Sequence, residues 1–450
     1  MHILLYLLLS MSAFANEEFP AGAGSTSDLS VGAFSHPLSG ARGQERRDFV
    51  LGNSFFQSVW VTSPSSTPIR DGLGPTYNAT SCTACHFKDG RGRGLPDQDG
   101  KVDISLLFRL RVKNADGSVS EPENYGGQFN PQGIAGVPGE GDAFVNFETV
   151  TGKFSDGEVY ELKKPRYTFM NLAFGAFPKN TIFSPRVGPQ MSGLGLIENI
   201  KEEDILKQAD PDDLDGDGIS GRPNIVYSIV ERKKVLGRFG WKAGKASLLE
   251  QNAAAFHGDI GITSYLHPEE DCPLVQIDCA KKRTQDDISP ELLGKVTIYT
   301  QLLSVPVKRD VGSKSVENGK AVFMKMNCQS CHTPSYVTGA NSEFEILNNQ
   351  TIYPYSDFLL HDMGDELADD VGNYKNEEDA GTREWRTPPL WGLGLVSVVN
   401  GHTRLMHDGR ARDFNEAILW HGGEAQKSRQ KYLNLTKKER DDVVAFLKSL

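Results

Sequence analysis

The pentapeptide Cys-x-x-Cys-His occurs twice in this chain, at residues 82–86 and 328–332. Two thiols at this spacing can add across the vinyl groups of a haem. The histidine that follows is then held beneath the iron as proximal ligand. A zinc site or a redox dithiol can use the same cysteine spacing, but neither requires the adjoining histidine, and both copies carry it. The chain therefore reads as carrying two covalently bound haem c groups. Cys82, Cys85, Cys328 and Cys331 are the attachment points, and His86 and His332 the first iron ligands.

Of the six cysteines, the two outside the motifs are Cys272 and Cys279. Their closeness predicts a disulfide closing a small loop, which requires an oxidising compartment. Residues 1–15 point the same way. They form an apolar run ending in Ala-Phe-Ala and read as a signal peptide for export to the periplasm, although the usual early Lys or Arg is missing. No later segment is apolar for long enough to cross a bilayer. A net charge of −11 argues against nucleic acid or an anionic membrane as partner. It suits docking of a small electron-donor protein such as a cytochrome or cupredoxin.

Residues 16–34 are small and polar and predict a disordered lead-in. Beyond them one scheme is used twice. A helical run precedes each haem motif. A Gly-Leu-Gly-Leu string follows at 193–196 and again at 392–395. Trp241-Lys-Ala-Gly corresponds in order to His407-Asp-Gly-Arg, and Phe256-His257-Gly258 to Trp420-His421-Gly422. Each half closes with a helix, one capped by Ser289 with Pro290 in its first turn, the other by the capping box of Thr436 and Glu439. This order predicts a tandem duplication. The expected fold is mainly α: two cytochrome c-like haem domains with long loops, at 35–310 and 311–450. The first is enlarged by insertions with minor β, such as a strand near 104–112.

Over nearly all of residues 35–450 the chain resembles the bacterial di-haem c-type oxidoreductases labelled predicted thiol oxidoreductases. These are relatives of the di-haem cytochrome c peroxidases and of the di-haem enzyme that matures methylamine dehydrogenase. The strings that carry the resemblance are Cys-Thr-Ala-Cys-His-Phe-Lys-Asp-Gly-Arg-Gly from Cys82, Asp-Gly-Asp-Gly-Ile-Ser-Gly-Arg-Pro-Asn from Asp215, Leu-Leu-His-Asp-Met-Gly from Leu359, and Met406-His-Asp-Gly-Arg-Ala with Leu419-Trp-His-Gly-Gly-Glu-Ala. The resemblance implies a peroxidase-like oxidoreductase, with electrons accepted at the C-terminal haem and peroxide-type chemistry at the N-terminal one. Its alternatives are a pure electron-transfer cytochrome, or oxidation of a protein substrate at a distance.

The resemblance also implies ligands. In the peroxidases the distal ligand of the C-terminal haem lies fourteen residues beyond the His of a His-Asp-Gly segment; from His407 that position is His421, where they carry methionine. His332 and His421 are thus the expected axial pair, with His361, Met363 and Met406 as rivals. At the N-terminal haem the internal repeat places His257 opposite His86, either on the iron or beside it as an acid–base group with Asp259. Met191 is a further candidate ligand. Trp241 resembles the tryptophan between the haems. Two calcium sites are conceivable: the loop of Asp213, Asp215 and Asp217, which has the Asp-x-Asp-x-Asp-Gly start of a calcium loop, and, by resemblance, the carbonyls of Thr387 and Pro389.

Overall fold

The computed structural model describes residues 17–282, 287–370 and 375–450. The expected signal peptide lies outside the described residues. In each half, a helix leading into the haem motif lies along a closing helix. In the first half these are α1 (Gly43–Gln57), which buries Phe49, Phe55 and Phe56, and α3 (Pro290–Leu302). Between them in sequence comes α2 (Leu248–Ala255), capped by Ser247. In the second half α4 (Lys314–Lys325) lies on α6 (Lys437–Ser449), and α5 (Phe414–Trp420), capped by Asp413, carries the distal segment. The caps at Ser289 and at Thr436 with Glu439 form as the sequence predicts.

Both helix crossings depend on a glycine. A Cβ on Gly52 would stand 2.1 Å from the Lys295 carbonyl oxygen, and one on Gly319 would stand 1.9 Å from that of Asp442. Neither distance is compatible with any side chain, so the two helix pairs close by backbone approach at matching places. Beside each crossing an aromatic ring abuts the motif histidine. Phe56 lies 6.2 Å from His86 and Phe323 lies 6.1 Å from His332.

The expectation of a mainly α fold is wrong. The protein is 30% helical and 20% strand, and its sheets are antiparallel. The insertion in the first half supplies most of the strand: β1 (Leu106–Lys113), β2 (Asp142–Lys153), β3 (Val159–Met170) and β4 (Thr181–Val187). β1 pairs with β4, and β2 with β3 along their whole length. Leu106, Phe108 and Leu110 alternate inward on β1, which is the strand signature. The β2–β3 hairpin lacks that clear alternation because much of it faces solvent. Its tip reaches the second half. Ser155 N donates to Leu433 O at 2.9 Å, and the Arg440 guanidinium sits 3.9 Å over the Phe154 ring and 2.9 Å from Asp156.

Residues 17–34 also depart from expectation. They are packed along the link between the halves, with Ala21, Ala33 and Phe34 fully buried. Thr26 N donates to Val305 O at 3.0 Å, and Glu17 takes both Lys308 and Lys320. Small residues that suggested disorder instead allow the segment to lie close against its neighbours. No helix among the described residues is long and apolar enough to cross a membrane.

Candidate di-haem site

In the second half, His332 Nδ1 donates to Tyr355 O at 2.9 Å. His421 stands just past the end of α5, where extended backbone (φ −60°, ψ 128°) swings its ring inward, and its Nδ1 donates to Ala417 O at 2.6 Å. A carbonyl can only accept, so in both rings Nδ1 carries the proton and Nε2 keeps its lone pair. Burial lowers the pKa of both, His332 to about 4, so both imidazoles are neutral, as metal ligands must be. Their centroids are 6.5 Å apart. Two imidazoles sharing one metal through bonds of ~2.0 Å put their centroids roughly 6 Å apart, so this pair fits an iron between them.

The first half has the same proximal arrangement and a different distal one. His86 Nδ1 donates to Pro189 O at 2.7 Å, and burial lowers its pKa, leaving a neutral ring with Nε2 available. The distal helix α2, however, does not stop where α5 stops. It runs on through a wider turn, Phe256–Ile260. That extra turn rotates His257 out: its Nε2 donates to Glu269 O at 2.7 Å and its ring stacks on His267 at 5.1 Å. His257 is therefore turned away from His86 in this structure. The same rotation brings Asp259 to the cavity wall. Gln128 Nε2 donates to Asp259 Oδ1 at 2.9 Å and to Gly258 O at 2.7 Å, and Arg109 lines the cavity beside Gly258.

A single cavity of about 390 Å³ is lined by both haem motifs, by His421, Asp259 and Trp241, and by a set of cationic side chains. Burial pushes the Cys82 and Cys328 thiols up to about 12, and raises Cys85 and Cys331 as well. None is the activated thiolate that dithiol chemistry needs. Arg91 and Arg386 are buried, and burial pulls each down to about 10. Among the described residues, their guanidinium hydrogen bonds go to carbonyls only: Arg91 to Arg404 and Met406, Arg386 to Gly240 and Thr387. Such charges call for anions in the cavity, and haem propionates meet that need. With facing lone-pair imidazoles, adjacent thiols and unmatched guanidiniums, the residues present fit haem.

The sequence matches the family described as "Di-haem oxidoreductase, putative peroxidase" over residues 19–124 and 130–450. The chain belongs to this di-haem oxidoreductase family. No curated protein matches it significantly. Among solved structures, a hydrazine synthase of Kuenenia stuttgartiensis pressurised with xenon aligns over 92% of this chain and 93% of that one. The identity is 12% and the TM-score 0.32, too loose a likeness to support any inference.

The rival ligands His361, Met191, Met363 and Met406 also line the cavity of this di-haem oxidoreductase. His361 is locked between Asp357 (2.7 Å) and Glu424 (2.6 Å); burial works against its charge, but Asp357, with Cys331 beside it, holds its pKa well above the usual value. A charged histidine has no lone pair for iron. Met191 packs in the core on the segment whose Pro189 holds the proximal ring. Met363 packs against two apolar clusters, while Met406 holds Arg91 by its carbonyl. Trp241 is fixed between segments of the two halves. Its Nε1 donates to Val187 O at 2.8 Å, Val187 N donates to His407 O at 2.7 Å, and Arg386 N donates to Trp241 O at 2.8 Å.

Cys272 and Cys279 are joined by a disulfide with Cα atoms 5.7 Å apart, in the stretch that also supplies Glu269 to His257. In the acidic loop, Asp213, Asp215 and Asp217 each accept a backbone N–H from within the loop, which is the geometry of successive turns. Thr387 O already accepts from Ser356 Oγ at 2.6 Å and from Arg386 at 3.1 Å, so its lone pairs are committed and the expected calcium contact does not fit. Pro389 lines the haem cavity. Sequence reading missed Arg109, Gln128, Arg91 and Arg386. Only the folded insertion and the contact between the halves bring them to the site.

Proposed function

We propose that this protein is an exported di-haem c-type oxidoreductase that reduces hydrogen peroxide at its N-terminal haem, using electrons that a small cytochrome or cupredoxin delivers to its C-terminal haem. The observation that carries the reading is the asymmetry of the distal groups. His332 faces a second imidazole, whereas the cavity at His86 offers a carboxylate, an amide and a guanidinium. Haem bound at the two motifs would supply electron storage and, where a coordination position stays open, a place for peroxide to be reduced. Asp259 takes a proton from the near oxygen of peroxide and returns it to the departing one, as the general acid–base role requires. Gln128 orients that carboxylate, and Arg109 adds positive charge where negative charge develops. Neutral imidazoles at His332 and His421 suit an electron-transfer centre closed to exogenous ligands. Trp241, tied to both halves, lies on the way between them.

The test is rapid mixing of the reduced holoprotein with hydrogen peroxide, followed by absorption at both haems. Reoxidation that begins at the N-terminal haem and is slowed by Asp259→Asn supports the reading. Haems that stay reduced in excess peroxide reject it.

A further inference from the structure

Behind His86, toward the crossing of α1 and α3, lies a tyrosine that the site above leaves unexplained. Tyr299 is fully buried on α3, and its ring is 5.2 Å from Phe56, which in turn is 6.2 Å from the His86 ring. Phe49 packs on its other flank at 4.7 Å. Its hydroxyl donates to Asp89 Oδ1 at 2.5 Å, and Asp89 is 2% exposed. The other oxygen of that carboxylate accepts from Ser35 Oγ at 2.6 Å. The carboxylate of Asp89 thus has two hydroxyl partners and, among the described residues, no cation in contact.

The tryptophans of the cavity have the opposite surroundings. Trp241 lies 5.2 Å from the Arg91 guanidinium. Trp385, stacked on His407 at 3.7 Å, has the Lys242 ammonium, paired with Asp369, 3.9 Å over its ring and Arg186, paired with Glu377, at 6.0 Å. A cation held over an indole opposes loss of an electron from it, because the product is another positive charge. A phenol that donates to a carboxylate has the reverse bias: it can lose its proton along the existing hydrogen bond and end neutral. An electron can pass through Trp241, but the Arg91 guanidinium over its ring disfavours a positive hole resting there.

We infer that Tyr299, with Asp89 as its proton acceptor, is a redox-active residue that holds an oxidising equivalent generated at the N-terminal haem. This rests on the peroxide reading above. In the step, Tyr299 gives one electron to the centre that peroxide has oxidised. Its O–H bond breaks, and the proton moves to Asp89 Oδ1, leaving a neutral tyrosyl radical and a protonated carboxyl group. An electron arriving from the reduced donor protein restores the phenolate oxygen, and the proton returns from Asp89. Peroxide is the oxidant and the donor protein the reductant, so the cycle closes. Its use would be to keep the oxidising equivalent inside the protein when donor electrons are scarce.

The experiment is freeze-quench EPR of the holoprotein mixed with hydrogen peroxide in the absence of donor, with absorption recorded in parallel. A radical whose hyperfine pattern changes when the protein carries ring-deuterated tyrosine is expected. Tyr299→Phe, which conserves shape, should abolish it, and Asp89→Asn should lower its yield. Spin trapping followed by peptide mass analysis of the unaltered protein locates the radical even if a variant fails to take up haem; the adduct is expected on the peptide containing Tyr299. Haem oxidation without a tyrosyl signal, a signal that survives Tyr299→Phe, or an adduct elsewhere overturns the inference while leaving the peroxide reading intact. Absorption that does not respond to peroxide overturns both.

Discussion

The two distal segments, residues 256–259 and 420–423, share an aromatic residue, a histidine and a glycine in the same order, yet they deliver different chemistry. In the second half α5 ends at Trp420, and His421 turns inward on extended backbone. In the first half the helix continues to Ile260 through a wider turn, so His257 faces Glu269 and Asp259 takes the inward place. One change in where a helix stops places a histidine in one cavity wall and a carboxylate in the other. On the proposed reading, two halves with the same motifs thereby hold two unlike haem environments.

The strongest way to break this comparison is Asp259→Asn. Loss of a positioned acid–base group costs ~10²–10⁴-fold, so the rate of haem reoxidation by peroxide should fall by that order while the C-terminal haem spectrum stays the same. An unchanged rate would remove the functional half of the contrast.

His421→Met acts on the other site. Thioether in place of imidazole should raise the C-terminal haem potential by roughly 0.1–0.3 V, a part of the ~0.8 V that axial ligands span. Redox titration checks it, and His421→Ala should turn the same haem high-spin in EPR. A potential and spin state indifferent to both substitutions would mean that His421 is not a ligand.

A third difference lies in the ion pairs beside the second motif. Burial works against charge on His361, but Asp357, with Cys331 beside it, more than offsets it and raises its pKa. The stabilisation is fully present below the unfolded value near ~6.5 and is lost as pH rises through the folded value. Alkaline unfolding should therefore begin in the second half. His361→Gln should cost ~3 kcal/mol at neutral pH, as removal of one partner from a buried pair does, and should flatten the pH dependence. Thermal melts between neutral and alkaline pH would show either result.

The smallest expected effect sharpens the comparison most. His257→Ala should leave both haem spectra unchanged and lower stability by less than ~1 kcal/mol, the usual range for a partly exposed side chain. Conversion of the N-terminal haem to high spin by this substitution would restore His257 as a ligand.

What could be read in the sequence was local. The motif histidines, the caps at Ser289 and Thr436, and the close-set Cys272 and Cys279 each depend on residues a few positions apart. His421 came from resemblance to known di-haem proteins; its ring turns inward, 6.5 Å from that of His332. His257 was misplaced because a repeat shows which residues correspond but not whether a helix adds half a turn before them. Arg109 and Gln128 were invisible for another reason: each lies far in sequence from Asp259, and only the antiparallel insertion brings them together. The β2–β3 hairpin and the packed segment 17–34 were hidden by polar and small residues, whose order here comes from tertiary hydrogen bonds that local pattern does not record.

The most direct measurement is the EPR spectrum of the fully ferric holoprotein at rest. One low-spin haem with two-histidine character together with one high-spin haem is expected, the latter lost when the proximal His86 is replaced. Two low-spin haems at rest, neither altered by added peroxide, would show that the N-terminal iron is closed as well and that the two sites do not differ as described.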